Sequence, residues 1–121
     1  MENILIAEDE PHVSRLLKLA LEKEGFNVTA VLNGLHALDS IKADVPDLLI
    51  TDINMPKMDG ETLCKTLSKS YPQREFPIVV LSSRTEVEHR EWSQSIGNTM
   101  FLEKPVSIRK LLKYIHSIES E

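Results

Sequence analysis

The feature that most constrains the fold of this 121-residue chain is a repeated alternation of short apolar runs with amphipathic segments. The apolar runs are ILIA, FNVTAV, LLIT, PIVVLSS and MFL, at residues 4–7, 26–31, 48–51, 77–83 and 100–102. Runs this short, rich in branched apolar residues, are typical of strands covered on both faces. Strands that alternate with helices predict an α/β domain, in which helices cover both faces of a parallel sheet.

The segment after the first run carries the clearest helical pattern. Pro11 suits the first turn of a helix, and Gly25 is typical of the residue that follows a helix end. Between them, apolar residues recur at the spacing of one helix face: Val13, Leu16, Leu17, Ala20 and Leu21. The sequence therefore predicts a first helix that begins at Pro11 and packs one side on the sheet.

Turn and capping residues predict the other four helices. We expect a turn at Asn33-Gly34 before the second helix and a cap at Asp59 for the third. A fourth, weakly amphipathic helix is expected over residues 85–96, and Ser107 is expected to cap the fifth. Residues 68–76 read as a polar loop. No linker or repeat interrupts the pattern, so a single domain over residues 1–121 is predicted.

Composition narrows the classes of function. The formal net charge of −5 argues against sequence-independent nucleic-acid binding, which depends on neutralising phosphates. No apolar stretch approaches the ~20 residues of a membrane span, and the first residues lack the basic region of a signal peptide, so a cytoplasmic protein is expected. Cys64 is the single cysteine and is expected to be a small core residue. The four histidines show no metal-ligand spacing.

Charged and hydroxyl residues follow four of the five predicted strands. In open parallel sheets, ligands bind outside the carboxyl ends of the strands, so these side chains are expected to converge at one edge. They are Glu8, Asp9 and Glu10 after the first strand, Asp52 after the third, Ser82 and Ser83 after the fourth, and Lys104 and Pro105 after the fifth.

This set of side chains suits phosphoryl chemistry. Neighbouring carboxylates repel one another unless a cation joins them, and oxygen ligands of this kind suit Mg²⁺. Lys104 would add a positive charge, and a carboxylate such as Asp52 can accept a phosphoryl group covalently. Each residue also has a simpler interpretation. Asp9 could cap the first helix, and Lys104 could be an ordinary surface lysine.

Four segments resemble the receiver domain of two-component response regulators, and together they cover essentially the whole chain. The segments are ILIAEDE, LLITDINMPKMDG, PIVVLSS and GNTMFLEKP. The resemblance implies a flavodoxin-like, doubly wound (βα)5 three-layer sandwich with strand order 2-1-3-4-5. It also implies that Asp52 is the acceptor of a phosphoryl group from a phosphohistidine on a histidine kinase or histidine phosphotransfer protein.

The resemblance further implies a metal site for Mg²⁺, or Mn²⁺ in its place. Asp9 and Asp52 would be ligands, Glu8 would assist through water, and the backbone carbonyl of Asn54 would supply a further oxygen. Glu8 is longer than the aspartate found in many family members, which makes its direct ligation less certain.

The remaining implied roles describe a switch. Ser82 and Lys104 would bind the phosphoryl oxygens, and a cis Lys104-Pro105 bond would aim the lysine at the site. Ser82 and Phe101 would then rearrange, changing the surface formed by the fourth helix, fifth strand and fifth helix. The domain would assist its own phosphorylation and dephosphorylation and control a downstream protein or output domain. Phosphorylation-dependent dimers fit this picture, and direct binding to nucleic acid or membrane does not.

Three alternatives stay open at this point. A haloacid dehalogenase-type phosphatase also uses an aspartyl phosphate, but it needs an acid two residues after the nucleophile, where this chain has Asn54. A flavodoxin-like FMN module would need a phosphate-binding loop after the first strand, where the chain has Glu-Asp-Glu-Pro. A receiver-like domain that is never phosphorylated would not need its full set of site residues. The sequence also leaves open a stand-alone regulator and a receiver from a longer protein.

Overall fold

A computed structural model describes residues 2–83, 92 and 96–119, and these residues form five strands and four helices. The strands are β1 (Asn3–Ala7), β2 (Asn27–Val31), β3 (Leu48–Asp52), β4 (Ile78–Ser82) and β5 (Thr99–Glu103). The helices are α1 (Pro11–Lys23), α2 (Gly34–Ala43), α3 (Gly60–Ser70) and the C-terminal helix (Ile108–Glu119). The predicted helix over residues 85–96 lies outside the described residues, apart from Trp92 and Ile96.

The five strands form one parallel sheet in the order β2-β1-β3-β4-β5. This arrangement confirms the predicted flavodoxin-like α/β fold and its strand order. Strand β3 lies at the centre, where Ile50 pairs with Ile6 on one side and with Val79 on the other. All five residues of β3 are buried. The central position therefore fixes the last residue of β3, Asp52, at the middle of the carboxyl edge of the sheet.

Two hydrophobic clusters cover the two faces of the sheet, because successive strand residues point to opposite sides. Leu49 and Val80 pack with α2 and α3 on one face, and Ile50 and Val79 pack with α1 and the C-terminal helix on the other. Cys64 belongs to the first cluster and is fully buried, and burial raises the pKa of its thiol to about 12. The cysteine is thus the core residue that the sequence predicts.

Side chains cap three of the helices. The Asp59 carboxylate accepts a hydrogen bond from the Thr62 amide at 2.7 Å, and the Ser107 hydroxyl accepts one from the Lys110 amide at 3.2 Å, which confirms both predicted caps. Asn33 does more than form a turn, since its side chain accepts a hydrogen bond from the His36 amide at 2.9 Å and caps α2.

Some local predictions are wrong. Glu10, without a side-chain cap, precedes α1, so the interpretation of Asp9 as the helix cap fails. Helix α3 continues to Ser70, into the predicted loop over residues 68–76, because backbone hydrogen bonding persists to the Tyr71 amide. Strand β5 is longer than predicted because Thr99 and Glu103 both pair with β4. No described helix has the length and apolarity to cross a membrane.

Candidate functional site

Three carboxylates come together at the carboxyl edge of the sheet. Glu8 follows β1 directly, Asp9 comes next, and Asp52 ends β3. One carboxylate oxygen from each lies within 4.8 Å of the others. Strands β1 and β3 are neighbours in the sheet, and this adjacency unites residues that are more than forty positions apart in the sequence.

The Asp52 side chain is held in one orientation by both of its oxygens. Asp52 is 6% exposed, and its Oδ1 accepts a hydrogen bond from the Ile53 amide at 2.8 Å. Its Oδ2 lies 3.0 Å from Lys104 Nζ. The Thr51 hydroxyl donates to the Asp52 backbone carbonyl at 2.9 Å, which holds the end of the strand.

The Glu8 carboxylate lies in an environment that disfavours its charged form. Its side chain is fully buried, with Oε1 3.2 Å from Lys104 Nζ and Oε2 accepting a weak hydrogen bond from the Glu10 amide at 3.3 Å. Oε1 makes no hydrogen bond within the described part of the chain. Burial, and then the neighbouring Asp52 carboxylate, raise the pKa of Glu8 to about 7. The carboxylate form of Glu8 therefore lacks sufficient compensation by protein groups.

Lys104 bridges two of the acids. Its ammonium contacts both Asp52 and Glu8, and its side chain is 22% exposed. Burial would lower the pKa of this ammonium, but the hydrogen bond to Asp52 and its charge, followed by the charge of Glu8, raise the pKa overall. The Lys104 amide donates to the Ser82 carbonyl at 2.8 Å, and the Lys104-Pro105 peptide bond is cis. Lys104 is therefore a fixed cation and not a mobile surface lysine.

The donor set of this cluster fits a hard divalent cation. Glu8, Asp9 and Asp52 present oxygen atoms, which Mg²⁺ prefers, and the Lys104 ammonium contacts two of these three carboxylates. The buried Glu8 Oε1 has no hydrogen bond among the described residues, so it has capacity for a further positive partner.

A short loop, residues 53–59, joins Asp52 to α3 and contains Asn54. Its ends meet where the Gly60 amide donates to the Ile53 carbonyl at 2.7 Å. A Cβ atom on Gly60 would lie 2.1 Å from the Asp52 carbonyl oxygen, so only glycine permits this contact. The sequence predicts only the helix cap at Asp59 in this region and gives no sign of the approach of Gly60 to the end of β3.

Ser82 and Phe101 lie on adjacent strands. Ser82 is buried at the end of β4, and it pairs with Glu103, while Phe101 pairs with Val80 two residues earlier. Paired side chains of parallel strands share a face, so Ser82 and Phe101 are diagonal neighbours on one side of the sheet. The half-buried Phe101 ring packs edge-on against Trp92, with centroids 5.6 Å apart and planes at 75°.

Comparison with known proteins agrees with the fold. A model of the response regulator receiver domain family matches residues 4–116. The chain is 32% identical to the response regulator MprA of Mycobacterium avium over 115 residues, which are 95% of this chain and 50% of that protein. It thus spans about half the length of the curated relatives it matches.

Solved structures of similar shape come from several bacteria. A signal receiver domain of a histidine kinase from Syntrophus aciditrophicus matches with a TM-score of 0.87 and 32% identity, covering 99% of this chain and 91% of that one. The chemotaxis response regulator CheY4 of Vibrio cholerae matches with a TM-score of 0.87 and 26% identity, covering 98% of each chain.

Proposed function

The chain belongs to the response regulator receiver domain family of two-component systems, and from this membership we propose that it is a phosphoryl-accepting switch with Asp52 as the acceptor. The observation that carries the proposal is the convergence of Glu8, Asp9 and Asp52 within 4.8 Å at the end of the central strand. Lys104 lies 3.0 Å from Asp52 on the same edge.

Asp9, Asp52 and the backbone carbonyl of Asn54 would hold Mg²⁺, or Mn²⁺, with Glu8 assisting. When bound, the ion supplies positive charge that offsets the repulsion between the acids and an incoming phosphoryl group. Glu8 is fully buried and its pKa is raised, so ionised Glu8 gains from a nearby cation.

Asp52 would act as the nucleophile. A carboxylate oxygen of Asp52 forms a bond to phosphorus while the phosphorus–nitrogen bond of a partner phosphohistidine breaks, and the electron pair stays on the imidazole nitrogen. The hydrogen bond from the Ile53 amide keeps the Asp52 side chain oriented before the reaction. Later attack by water on phosphorus would release inorganic phosphate and restore the carboxylate.

Ser82 and Lys104 would bind the oxygens of the transferred group. Lys104 already contacts the Asp52 carboxylate, so a small movement of its ammonium would place it against a phosphoryl oxygen. Ser82 ends the neighbouring strand, in register one position beyond the pair formed by Asp52 and Leu81. Both groups would therefore assist phosphorylation and dephosphorylation.

Phosphorylation would change the surface at the β5 side of the sheet. The new group carries about −1.5 to −2 charges, and Ser82 would move toward it. Phe101, which lies diagonally across from Ser82, would then turn inward and change its contact with Trp92. The domain would have two conformations that differ in the surface formed by the predicted fourth helix, β5 and the C-terminal helix. Phosphorylation would change their relative populations.

The proposed partners follow from this chemistry. A histidine kinase or histidine phosphotransfer protein would donate the phosphoryl group, and a downstream protein or output domain would read the altered surface. Dimerisation of the phosphorylated form is a further part of the proposal. The receiver itself would contact neither nucleic acid nor membrane.

Intact-mass spectrometry tests the acceptor directly. We expect wild type to gain one phosphoryl increment when treated with Mg²⁺ and acetyl phosphate, and we expect EDTA to prevent it. Asp52→Asn should show no increment. Asp59→Asn is the matched control, because Asp59 is an acid of the same loop region whose role is to cap α3. A persistent increment in Asp52→Asn, or none in wild type when another receiver is labelled, would contradict the proposal.

A further inference from the structure

The loop over residues 53–59 has a second attachment, remote in sequence from the first. Gly34, the first residue of α2, donates its amide to the Met58 carbonyl at 3.0 Å. A Cβ atom on Gly34 would lie 2.5 Å from the Met58 carbonyl oxygen and 2.8 Å from Met58 Cγ. Close approach of the two segments, and not an unusual backbone angle, is therefore what requires glycine at position 34.

The position of Gly34 is itself well fixed. Asn33, only 3% exposed, caps α2 by accepting the His36 amide, and the Ala37 amide donates to the Asn33 carbonyl at 3.1 Å. Gly34 is buried, and the following turn of α2 packs Ala37 into the core. The contact with Met58 therefore ties the loop to a rigid helix end.

Met58 connects the contact with Gly34 to the rest of the loop. Its amide donates to the Pro56 carbonyl at 2.7 Å, which makes a tight turn around Lys57. Lys57 has a φ of 66°, in the left-handed region. Met55 and Met58 also pack against the core cluster on this face. Residues 56–58 thus move as one turn, and Asn54 lies between that turn and Asp52.

We propose that Gly34 is a positioning residue for the metal site, and that its contact with Met58 sets where the Asn54 carbonyl lies relative to Asp52. This inference rests on the proposed function. It assigns the start of α2 a role in metal affinity through the contact of Gly34 with Met58.

A side chain at position 34 would force Met58 away, since contacts of 2.5 Å to a backbone oxygen are not tolerated. The loop ends cannot follow, because the Gly60 amide remains bonded to the Ile53 carbonyl. The displacement would fall on residues 54–57, which include the Asn54 carbonyl. Glu8 and Asp52 would stay in place, since the Glu8 amide donates to the Val31 carbonyl at 3.0 Å and Asp52 pairs with Leu81 of β4.

Calorimetric titration of the folded protein with MgCl2 tests the inference. Groups that orient metal ligands typically alter affinity by 10- to 100-fold, and we expect Gly34→Ala to weaken Mg²⁺ binding by about tenfold. Gly25→Ala is the matched glycine control. Gly25 has a φ of +95° with nothing within 4 Å of an added Cβ, so alanine there strains the backbone far from the loop. It should lower the melting temperature and leave Mg²⁺ affinity unchanged.

A second pair of variants acts inside the loop, should Gly34→Ala not fold. Lys57→Val and Lys57→Gly remove the same charge from an exposed position. Glycine accepts the left-handed angle at this position, whereas a β-branched residue resists it. We expect Lys57→Val to bind Mg²⁺ more weakly than Lys57→Gly, and its strained backbone should also lower its melting temperature in EDTA.

The outcomes separate this inference from the proposed function. Equal Mg²⁺ affinity of wild type and folded Gly34→Ala would overturn the inference alone, and so would equal affinity of the two Lys57 variants. Weakened binding in Gly25→Ala as well would also overturn it, because the effect would then follow general destabilisation. Wild type that binds no Mg²⁺ would overturn the proposed function together with the inference.

Discussion

Acidic side chains at the amino ends of the strands (the amino edge of the sheet) and at their carboxyl ends (the carboxyl edge) lie in opposite electrostatic environments. At the amino edge, Asp47 Oδ2 accepts hydrogen bonds from the backbone amides of Glu2 and Asn3 at 2.9 and 2.8 Å, and these bonds lower its pKa. At the carboxyl edge, burial and the neighbouring Asp52 raise the pKa of Glu8 to about 7. One acid is stabilised as an anion and the other is not.

The basic residues of the two edges differ in the same way. Arg74, at the amino edge, donates to the backbone carbonyls of Phe76 and of Gly97, the latter at 2.7 Å. Its guanidinium also lies 5.4 Å from the centroid of the Phe76 ring. Lys104 contacts two carboxylates instead. Charged side chains at the amino edge are thus paired with the backbone, whereas those at the carboxyl edge also contact one another.

Lys104→Ala should have the largest effect on stability. It leaves Glu8 and Asp52 buried without the ammonium that both contact. We expect the free energy of unfolding in EDTA to fall by about 2–3 kcal/mol, less than the about 3–5 kcal/mol for a fully buried ion pair because the Lys104 side chain is 22% exposed. Mg²⁺ affinity should be retained, so saturating Mg²⁺ should raise the melting temperature about as much as in wild type, while phosphorylation by acetyl phosphate should be lost.

The control is Lys65→Ala, which removes a lysine from an exposed ion pair with Glu61 at 2.7 Å. Exposed pairs of this kind contribute less than about 1 kcal/mol. A loss of stability in Lys104→Ala no greater than in the Lys65 control would show that Glu8 and Asp52 do not need the Lys104 ammonium to offset their burial and mutual repulsion.

Glu8→Gln should act in the opposite direction. The substitution keeps the size of the side chain and removes its charge, so it relieves both burial of the anion and its repulsion by Asp52. At about pH 8 in EDTA, we expect a gain of about 1–2 kcal/mol, because lost attraction to Lys104 offsets part of the relief. Chemical denaturation measures the gain, and calorimetry should show weaker Mg²⁺ binding in the same variant.

The pH dependence of that gain has a definite sign. The folded state keeps a proton on Glu8 up to a pKa of about 7, whereas the unfolded state loses it near 4.5. Wild type therefore loses stability as the pH rises between these two values, and Glu8→Gln does not. The difference between the two proteins should grow from about pH 5 to about pH 8. A difference that stays constant with pH would show that Glu8 is not the destabilising group.

Local sequence patterns predict the fold, and they also predict which residues lie at the candidate site. Short apolar runs separated by helical segments predicted the parallel sheet, and strand ends placed Glu8, Asp52 and Lys104 at one edge. Such predictions succeed because strand direction alone decides which edge a residue reaches. The caps at Asp59 and Ser107 were predicted for a similar reason, since capping depends on residues three positions apart.

What the sequence did not show depends on contacts between distant segments. The approach of Gly34 to Met58 joins the start of α2 to the loop after β3, and the bonds of Arg74 to Gly97 join two strand entrances. Neither contact has a spacing rule. The extent to which Glu8 is buried also depends on the packing around it, so its raised pKa could not be read from its place after a strand.

Arg74→Lys should have a smaller effect, at the amino edge. Lysine cannot donate to the Phe76 and Gly97 carbonyls from one planar group, so we expect a loss of about 1–2 kcal/mol in the free energy of unfolding. Phosphorylation by acetyl phosphate should proceed at the wild-type rate, because Arg74 lies at the opposite ends of the strands from Asp52. A slower reaction would mean that the two edges are coupled.

Asp47→Asn should have the smallest effect. Asparagine can still accept hydrogen bonds from the Glu2 and Asn3 amides, but it lacks the charge that strengthens them. Since Asp47 is exposed, solvent screening limits the expected loss to at most about 0.5 kcal/mol at neutral pH. The pKa of Asp47 is lowered by folding, so its contribution is present above the unfolded pKa and disappears as the pH falls through the folded one. Asp39→Asn, at an exposed position of α2, makes the same change in net charge and is the control. Loss of stability that persists in acid would mean that Asp47 acts through packing, and that the two edges do not differ in the way they stabilise their acids.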